Sequence, residues 1–190
     1  MFSLPIHEIF AYLCNMIKKE RLFRFKQFAV LHDKSAMKVG VDGVLLGAWA
    51  DIDDATEILD VGCGCGLIAI MAAQRNHNAI IHGIDIHQPS VDEAVANAQS
   101  SPWAERIDFS LCNFVDYHCD KPISHILSNP PFFDSGVNDP QTDREFTRHS
   151  AMLGPLSLIS IGSHLLADDG KISIIVPPEW LESIRVEAGK

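Results

Sequence analysis

From residue 57 onward, short apolar runs alternate with longer stretches whose apolar positions recur every three or four residues. The runs EILDV (57–61), AIIHGIDI (79–86), RIDFSL (106–111), ISHILS (123–128) and KISIIV (171–176) are rich in isoleucine, as expected of buried strands. Between them, GLIAIMAAQR (66–75), PSVDEAVANAQ (89–99) and SLISIGSHLLA (157–167) predict helices. Pro89 suits the first turn of the second, and Asp168-Asp169-Gly170 ends the third. Pro177-Pro178 opens a final helix. This alternation predicts βαβ units and an α/β domain, with a mostly parallel central sheet and helices on both faces. The pattern stops on a helical stretch, so further strands that would cover the last sheet edge are expected to be missing from this chain.

Composition narrows the class. The 190 residues carry a net charge of −10 with 47% hydrophobic residues, ordinary for one globular domain and unsuited to coating nucleic acid non-specifically. The charge is uneven: residues 1–50 hold seven Lys/Arg against four Asp/Glu, and the remainder is strongly acidic. A polyanion is therefore expected to meet the N-terminal segment, where Lys18, Lys19, Arg21, Arg24 and Lys26 cluster. Five cysteines in no framework read as reduced thiols of a cytoplasmic protein. Cys63 and Cys65 have no second pair or nearby histidine to complete a zinc set, so no metal is expected. No apolar run is long enough to span a membrane. The opening stretch has no basic region before its apolar part and reads as a short amphipathic helix rather than a signal peptide.

The chemistry sits at strand ends. LDVGCGCGLIAI is a strand, a tight turn with Gly62, Gly64 and Gly66, and a helix start. Glycine supplies the freedom and close approach that such a turn needs. Its G-x-G-x-G spacing differs from the dinucleotide fingerprint, and Asp60 just before it would repel a pyrophosphate. A carboxylate there suits a cationic ligand such as S-adenosylmethionine. Asp85, with Ile86 beside it, closes the second strand where an acidic group binds ribose hydroxyls. Asn113 and Phe114, after the third strand, are candidates for the adenine amino group and ring, and equally for a loop residue and a core aromatic.

The fourth strand ends in SNPPFF (128–133). Consecutive prolines stop a strand and restrict the backbone before them. The Asn129 side-chain oxygen and the Pro130 carbonyl are placed to accept the two N–H bonds of a planar amino group. Phe132 offers a face for its ring. These are the catalytic candidates, for methyl transfer from sulfur to an amino nitrogen by alignment and electrostatics. Asn129 also borders the cofactor.

Asp60 with GxGxG, Asp85 and NPPF together resemble the class I S-adenosylmethionine-dependent N-methyltransferases, whose domain is Rossmann-like. Residues 23–50, FRFKQFAVLHDKSAMKVGVDGVLLGAWA, are similar to the start of the bacterial tRNA1(Val) (adenine-37-N6)-methyltransferases. So are NPPFF and REFTRHS, with Arg144 and Arg148. Val41 stands where that family has Thr, and the family continues beyond residue 190 with a strand pair.

The resemblance implies an extension over 1–22, helical or disordered, and a methyltransferase domain over 23–190, C-terminally incomplete. It implies methylation of N6 of adenine 37 in the anticodon loop of tRNA1(Val), the base flipped from its loop. Lys26, Lys38, Pro131, Phe133, Arg144 and Arg148 would meet the RNA, and the enzyme would act as a cytoplasmic monomer. Three other readings stay open at this point. One is a guanine-N2 or protein glutamine N5-methyltransferase using the same site. Another is a non-catalytic cofactor- or RNA-binding domain, against which the intact NPPF speaks. The third is a dehydrogenase, disfavoured by Asp60 and the glycine spacing.

Overall fold

The computed structural model describes residues 22–130 and 154–190. A head hairpin comes first, β1 (Leu22–Arg24) paired antiparallel with β2 (Ala29–Leu31). Helix α1 (Val41–Trp49) follows, then the alternating body: β3 (Glu57–Val61), α2 (Leu67–Arg75), β4 (Ile80–Asp85), α3 (Gln88–Gln99), β5 (Ile107–Leu111) and β6 (Ile123–Ser128). After α4 (Pro155–Gly162) come β7 (Leu166–Ile174) and α5 (Leu181–Ala188). Strands β3 to β7 form one sheet in the order β5-β4-β3-β6-β7, with every neighbouring pair parallel.

The strand pleat divides the core. Ile58, Ile81, Phe109 and Leu127 point to one face, where they meet Leu46 of α1 and Ala50 just after it, Ile68, Ala69 and Ala72 of α2, and Val91, Ala94 and Ala98 of α3. Leu59, Ile84 and Ile126 point to the other and pack with Phe114 and Leu158. Successive strand residues therefore feed two cores, which is why these runs carry apolar residues at adjacent positions rather than strictly alternating ones. Each fully buried isoleucine or leucine contributes roughly 1.5–3 kcal/mol. A third cluster, Phe28, Val30, Cys65, Leu67, Ile70 and Met71, seats the head hairpin on α2.

Two boundaries differ from the sequence expectation. Helix α4 ends at Gly162, and β7 begins at Leu166. Leu166 already pairs with Ile123, and the Ile123 N–H donates to the Leu165 carbonyl. The register then shifts, so that His125 faces Lys171. Residues 167–170 bulge out between those two points of pairing. The residues read as a helix end and a stop signal are thus part of the strand's entry. The hairpin and α1 are elements that the periodic reading, which begins at residue 57, did not predict.

Candidate functional site

The strand order reverses between β3 and β6, and the ends of both open onto one ledge. Open parallel sheets bind ligands in the crevice beyond the carboxyl ends of their strands at such a point. Val61 pairs with both Ile84 and Ser128, so Gly62, Asp85 and Asn129 follow on neighbouring strands. The Ser128 hydroxyl donates to the Val61 carbonyl at 2.8 Å and locks β6 to β3 just below the ledge.

The glycine turn is built as expected. Gly62, Gly64 and Gly66 all have positive φ, at 72°, 53° and 79°. A Cβ on Gly66 would lie 2.7 Å from the Phe109 ring, so that position is closed by packing as well as by conformation. At Gly64, no atom of the described residues lies within 4 Å of where a Cβ would stand. The turn therefore presents bare backbone to open space on one side only. The Gly62 and Cys63 N–H groups donate to the Ile84 carbonyl, at 2.9 and 3.0 Å, and the Gly64 N–H donates to Asp85 Oδ2 at 2.9 Å.

Two carboxyl groups flank the turn. Asp85 accepts the His87 N–H on Oδ1 at 2.9 Å, in addition to Gly64 on Oδ2. Burial nevertheless raises its pKa. Asp60 is fully buried; its Oδ2 accepts the Ala69 N–H at 3.1 Å, and Oδ1 has no partner among the described residues. Desolvation first, and the neighbouring Asp85 charge as well, push Asp60 up to about 7, against one hydrogen bond that opposes the shift. Asn129 Oδ1 is likewise buried without a partner among the described residues. Buried polar atoms are nearly always bonded, so each orphan asks for a donor. The two orphans stand on adjacent strands around the switch point, one beneath the glycine turn and one beside it. A cation with N–H donors fits this acceptor-rich setting, and a diphosphate does not.

A cleft of about 230 Å³ lined by Ile86, Leu111, Cys112 and Asn113 continues the ledge over β4 and β5. Ile86 and Asn113 were expected here. Leu111 and Cys112 were not, because a strand's last apolar residues carry no signal that separates a cleft wall from core. Leu111 is half exposed, at 51%. Asn113 Oδ1 accepts the Val115 N–H at 3.3 Å and caps a short 3-10 turn, leaving a second lone pair on that oxygen. Phe114 corrects the expectation of an adenine contact: at 3% exposure it packs with Leu59, Ile84 and Leu158 on the other core.

Lys38 stands among the expected RNA contacts. Its ammonium donates to the carbonyls of His32 and Asp33, at 2.8 Å each, and of Ser35 at 3.4 Å. These contacts tie the ammonium to its own loop. Lys26 is exposed. Pro130 is buried, directly after Asn129. Pro131, Phe132, Phe133, Arg144 and Arg148 lie outside the described residues.

Sequence reasoning also missed a polar stripe on α3. Ser90, Glu93 and Asn97 are all buried, at intervals of three and four residues that place them on one helix face. Glu93 accepts the N–H groups of Asp33, Lys34 and Ser35, at 2.7, 3.0 and 2.9 Å, and the Ser35 hydroxyl. Burial would raise its pKa, but those hydrogen bonds outweigh burial and hold it below the usual range. The signal was present as three polar residues at helical spacing among alanines and valines.

Comparisons with known proteins agree with this geometry. Residues 43–176 match the family model of the methyltransferase small domain. A tRNA1(Val) (adenine(37)-N6)-methyltransferase from Phocaeicola vulgatus is 43% identical over 166 residues, covering 87% of this chain and 70% of the relative. The proteins of that name from Parabacteroides distasonis and Pasteurella multocida are 44% and 39% identical. They align over 85% and 89% of this chain, and over 69% and 73% of their own lengths.

Among solved structures, two more distant proteins share the fold. A methyltransferase from Thiobacillus denitrificans, crystallised with S-adenosyl-L-homocysteine, superposes with a TM-score of 0.57 at 17% identity. The match covers 83% of this chain and 65% of that one. A precorrin-6y C5,15-methyltransferase from Geobacter metallireducens gives 0.58 at 16% identity, over 85% and 74%. The sheet order, the glycine turn and the sequence relatives lead to one assignment: the chain belongs to the methyltransferase small domain family and, within it, to the tRNA1(Val) (adenine(37)-N6)-methyltransferase family.

Proposed function

We propose that this chain transfers a methyl group from S-adenosylmethionine to N6 of adenine 37 in the anticodon loop of tRNA1(Val), in the cytoplasm. The observation that carries the reading is the buried Oδ1 of Asn129 at the end of β6, beside the glycine turn, which has no partner among the described residues. An exocyclic amino group is the donor this oxygen lacks. The relatives' name supplies the identity of the base and the RNA.

When bound, S-adenosylmethionine supplies an electrophilic methyl on a sulfonium, so that the N–C bond forms as the C–S bond breaks and sulfur leaves as a thioether. Asp85 is positioned to take the ribose hydroxyls, and the cleft of Ile86, Leu111, Cys112 and Asn113 to take the adenine. The carboxyls of Asp60 and Asp85 favour a positive charge over the turn. For the target, Asn129 Oδ1 accepts one N–H of the amino group and the Pro130 carbonyl accepts the other. Both bonds draw the nitrogen lone pair out of ring conjugation and aim it at the methyl carbon. No strong base is needed before attack, because the nitrogen becomes acidic once methylated and sheds its proton to water. Phe132 completes the site as a stacking surface for the flipped base.

The test is methylation of total tRNA from a strain lacking the activity, with labelled cofactor, followed by nucleoside analysis. Label in N6-methyladenosine of a valine tRNA is expected. Label in N2-methylguanosine or in protein overturns the reading.

A further inference from the structure

The proposed reaction needs the RNA held outside the cleft as well as the base within it. The head hairpin has the composition and the placement for this. Its sequence FRFKQF alternates rings with cations, with Phe23 and Arg24 in β1 and Lys26 in the bend that follows. The rings form a ladder: Phe23 to Phe25 at 5.0 Å between centroids, Phe25 to Phe28 stacked at 4.5 Å, and Phe28 edge-on to Trp103 at 5.8 Å. Phe28 is buried at its root, whereas Phe23 at its tip is 42% exposed. Arg24 and Lys26 are exposed and have no ion-pair partner among the described residues. In a chain of net charge −10, two exposed cations next to an exposed ring in sequence form a local exception.

The hairpin is also registered to the cofactor turn. The side-chain oxygen of Asn97 accepts the Leu31 N–H at 2.8 Å, and its amide nitrogen donates to the Leu31 carbonyl at 2.8 Å. The same nitrogen donates to the Cys65 carbonyl, inside the glycine turn, at 2.9 Å. One buried side chain thus joins β2 to the turn, while Glu93 holds the loop that follows. A surface fixed in this way keeps its distance from the methyl donor when it takes a load.

We propose that the outer face of the head hairpin is a docking surface for the RNA substrate, with Arg24 and Lys26 on backbone phosphates and Phe23 at the rim stacking with an unpaired base. The proposal rests on the RNA-methylating reading above. Phosphate contacts supply affinity without reading sequence, and unpaired bases stack on aromatic rings whatever their identity. The surface accordingly grips the anticodon arm, and the choice of base is left to the site at Asn129. A protein partner is the competing occupant; it would show no dependence on RNA phosphates.

The experiment measures binding of an unmodified tRNA(Val) transcript without turnover, across a range of salt, alongside methylation kinetics. The Arg24→Gln/Lys26→Gln double variant is expected to raise the KM for tRNA about tenfold or more. It should also reduce the slope of log K against log salt by about 1.5, for two phosphates lost. The Phe23→Ala variant is expected to weaken binding about tenfold with the slope unchanged, and Phe23→Trp to retain it. Cofactor affinity and kcat should stay within about twofold of wild type, which shows that the variants are folded. If wild type methylates the transcript and the double variant binds it with unchanged affinity and slope, the docking surface is wrong and the activity stands. If wild type binds the transcript through these residues but labels another nucleoside, the docking surface stands and the activity reading falls. If wild type neither binds nor methylates RNA, both fall.

Discussion

The centre of the sheet and its β7 edge use similar βα units and treat them differently. In the unit of β3 and α2, Ile58, Leu59, Asp60 and Val61 are buried in the strand and seven of nine residues are buried in the helix. In the unit of β7 and α5, no residue of either element is buried. Strand β3 lies between β4 and β6, with a core on each face, whereas β7 has a partner on one edge only among the described residues. Near that edge, α1 exposes Val41, Leu45 and Trp49, spaced so as to share one helix face, and α5 exposes Leu181 and Val186. A buried carboxyl without a full set of partners, such as Asp60, costs folding free energy. The molecule places it where packing is densest and the surroundings can bear it. The ledge is rigid because its half of the sheet is overbuilt, and the β7 edge has no such surplus.

The largest effect that probes this contrast is catalytic. Asn129→Ala is expected to lower methyl transfer by about 10²–10³-fold, the scale of losing one aimed polar contact in a transition state. Cofactor affinity should stay within about threefold, because the glycine turn and Asp85 do not depend on the amide. Single-turnover rates and equilibrium cofactor binding, measured on the same preparation, check the split. A parallel loss of cofactor binding would show that the ledge responds as one soft body.

Next comes a matched pair of truncations. Ile58 in β3 is 0% exposed, and Ile174 in β7 is partly exposed. Ile58→Ala is expected to cost about 2–5 kcal/mol of unfolding free energy, transfer and cavity terms together. Ile174→Ala should cost about 1 kcal/mol, because solvent already reaches it and little cavity is left behind. Urea titration of both variants measures the difference. Equal costs would mean that the exposure at β7 does not report its packing.

A smaller effect separates the charge at the ledge from its packing. Asp60 titrates near 7 when folded, against an ordinary carboxyl value when unfolded, so the folded state holds the proton more tightly. Its contribution to stability is fully present below the unfolded value of 3.8, and is lost as pH rises through about 7. Between pH 6 and 8 the wild type should therefore lose about 1.4 kcal/mol relative to Asp60→Asn, which cannot titrate. Denaturation curves of the two proteins at each pH give the difference directly. A flat difference would mean that Asp60 is not the titrating group.

How far the sequence carried the description follows the same division. β3 and β6 were legible to the residue, because burial on both faces puts apolar residues at successive positions, with few polar ones between. The glycine turn and Asp85 were legible because positive φ and a strand-end carboxylate are local requirements. Phe114 was ambiguous from sequence, since a ring one residue past a strand end serves a ligand or a core equally well, and its direction is set by α4. The loop bonds of Lys38, expected only as an RNA contact, were hidden for a similar reason. Charge is visible in sequence, whereas the carbonyls of a loop that curls around it are not. The edge was hardest: the entry to β7 depends on Leu166 reaching Ile123, a pairing across more than forty residues that periodicity cannot express.

The smallest effect belongs to the ion pair at that edge. Lys171 Nζ and Asp51 Oδ2 stand 2.7 Å apart and join the end of α1 to β7. Hydrogen bonding and the partner charge lower the pKa of Asp51 and raise that of Lys171. Both side chains are more than half exposed, so water and salt screen the pair and holding it costs side-chain entropy. Lys171→Ala is expected to leave the thermal midpoint within measurement error, and any small loss at low salt should vanish at 1 M salt. The hold on β7 then comes from its ladder with β6 and from Ile172 and Ile174 packed on the Leu59 face. A drop of several degrees that salt does not remove would reverse this, making the ion pair the clasp of the open edge and its packing the lesser contribution.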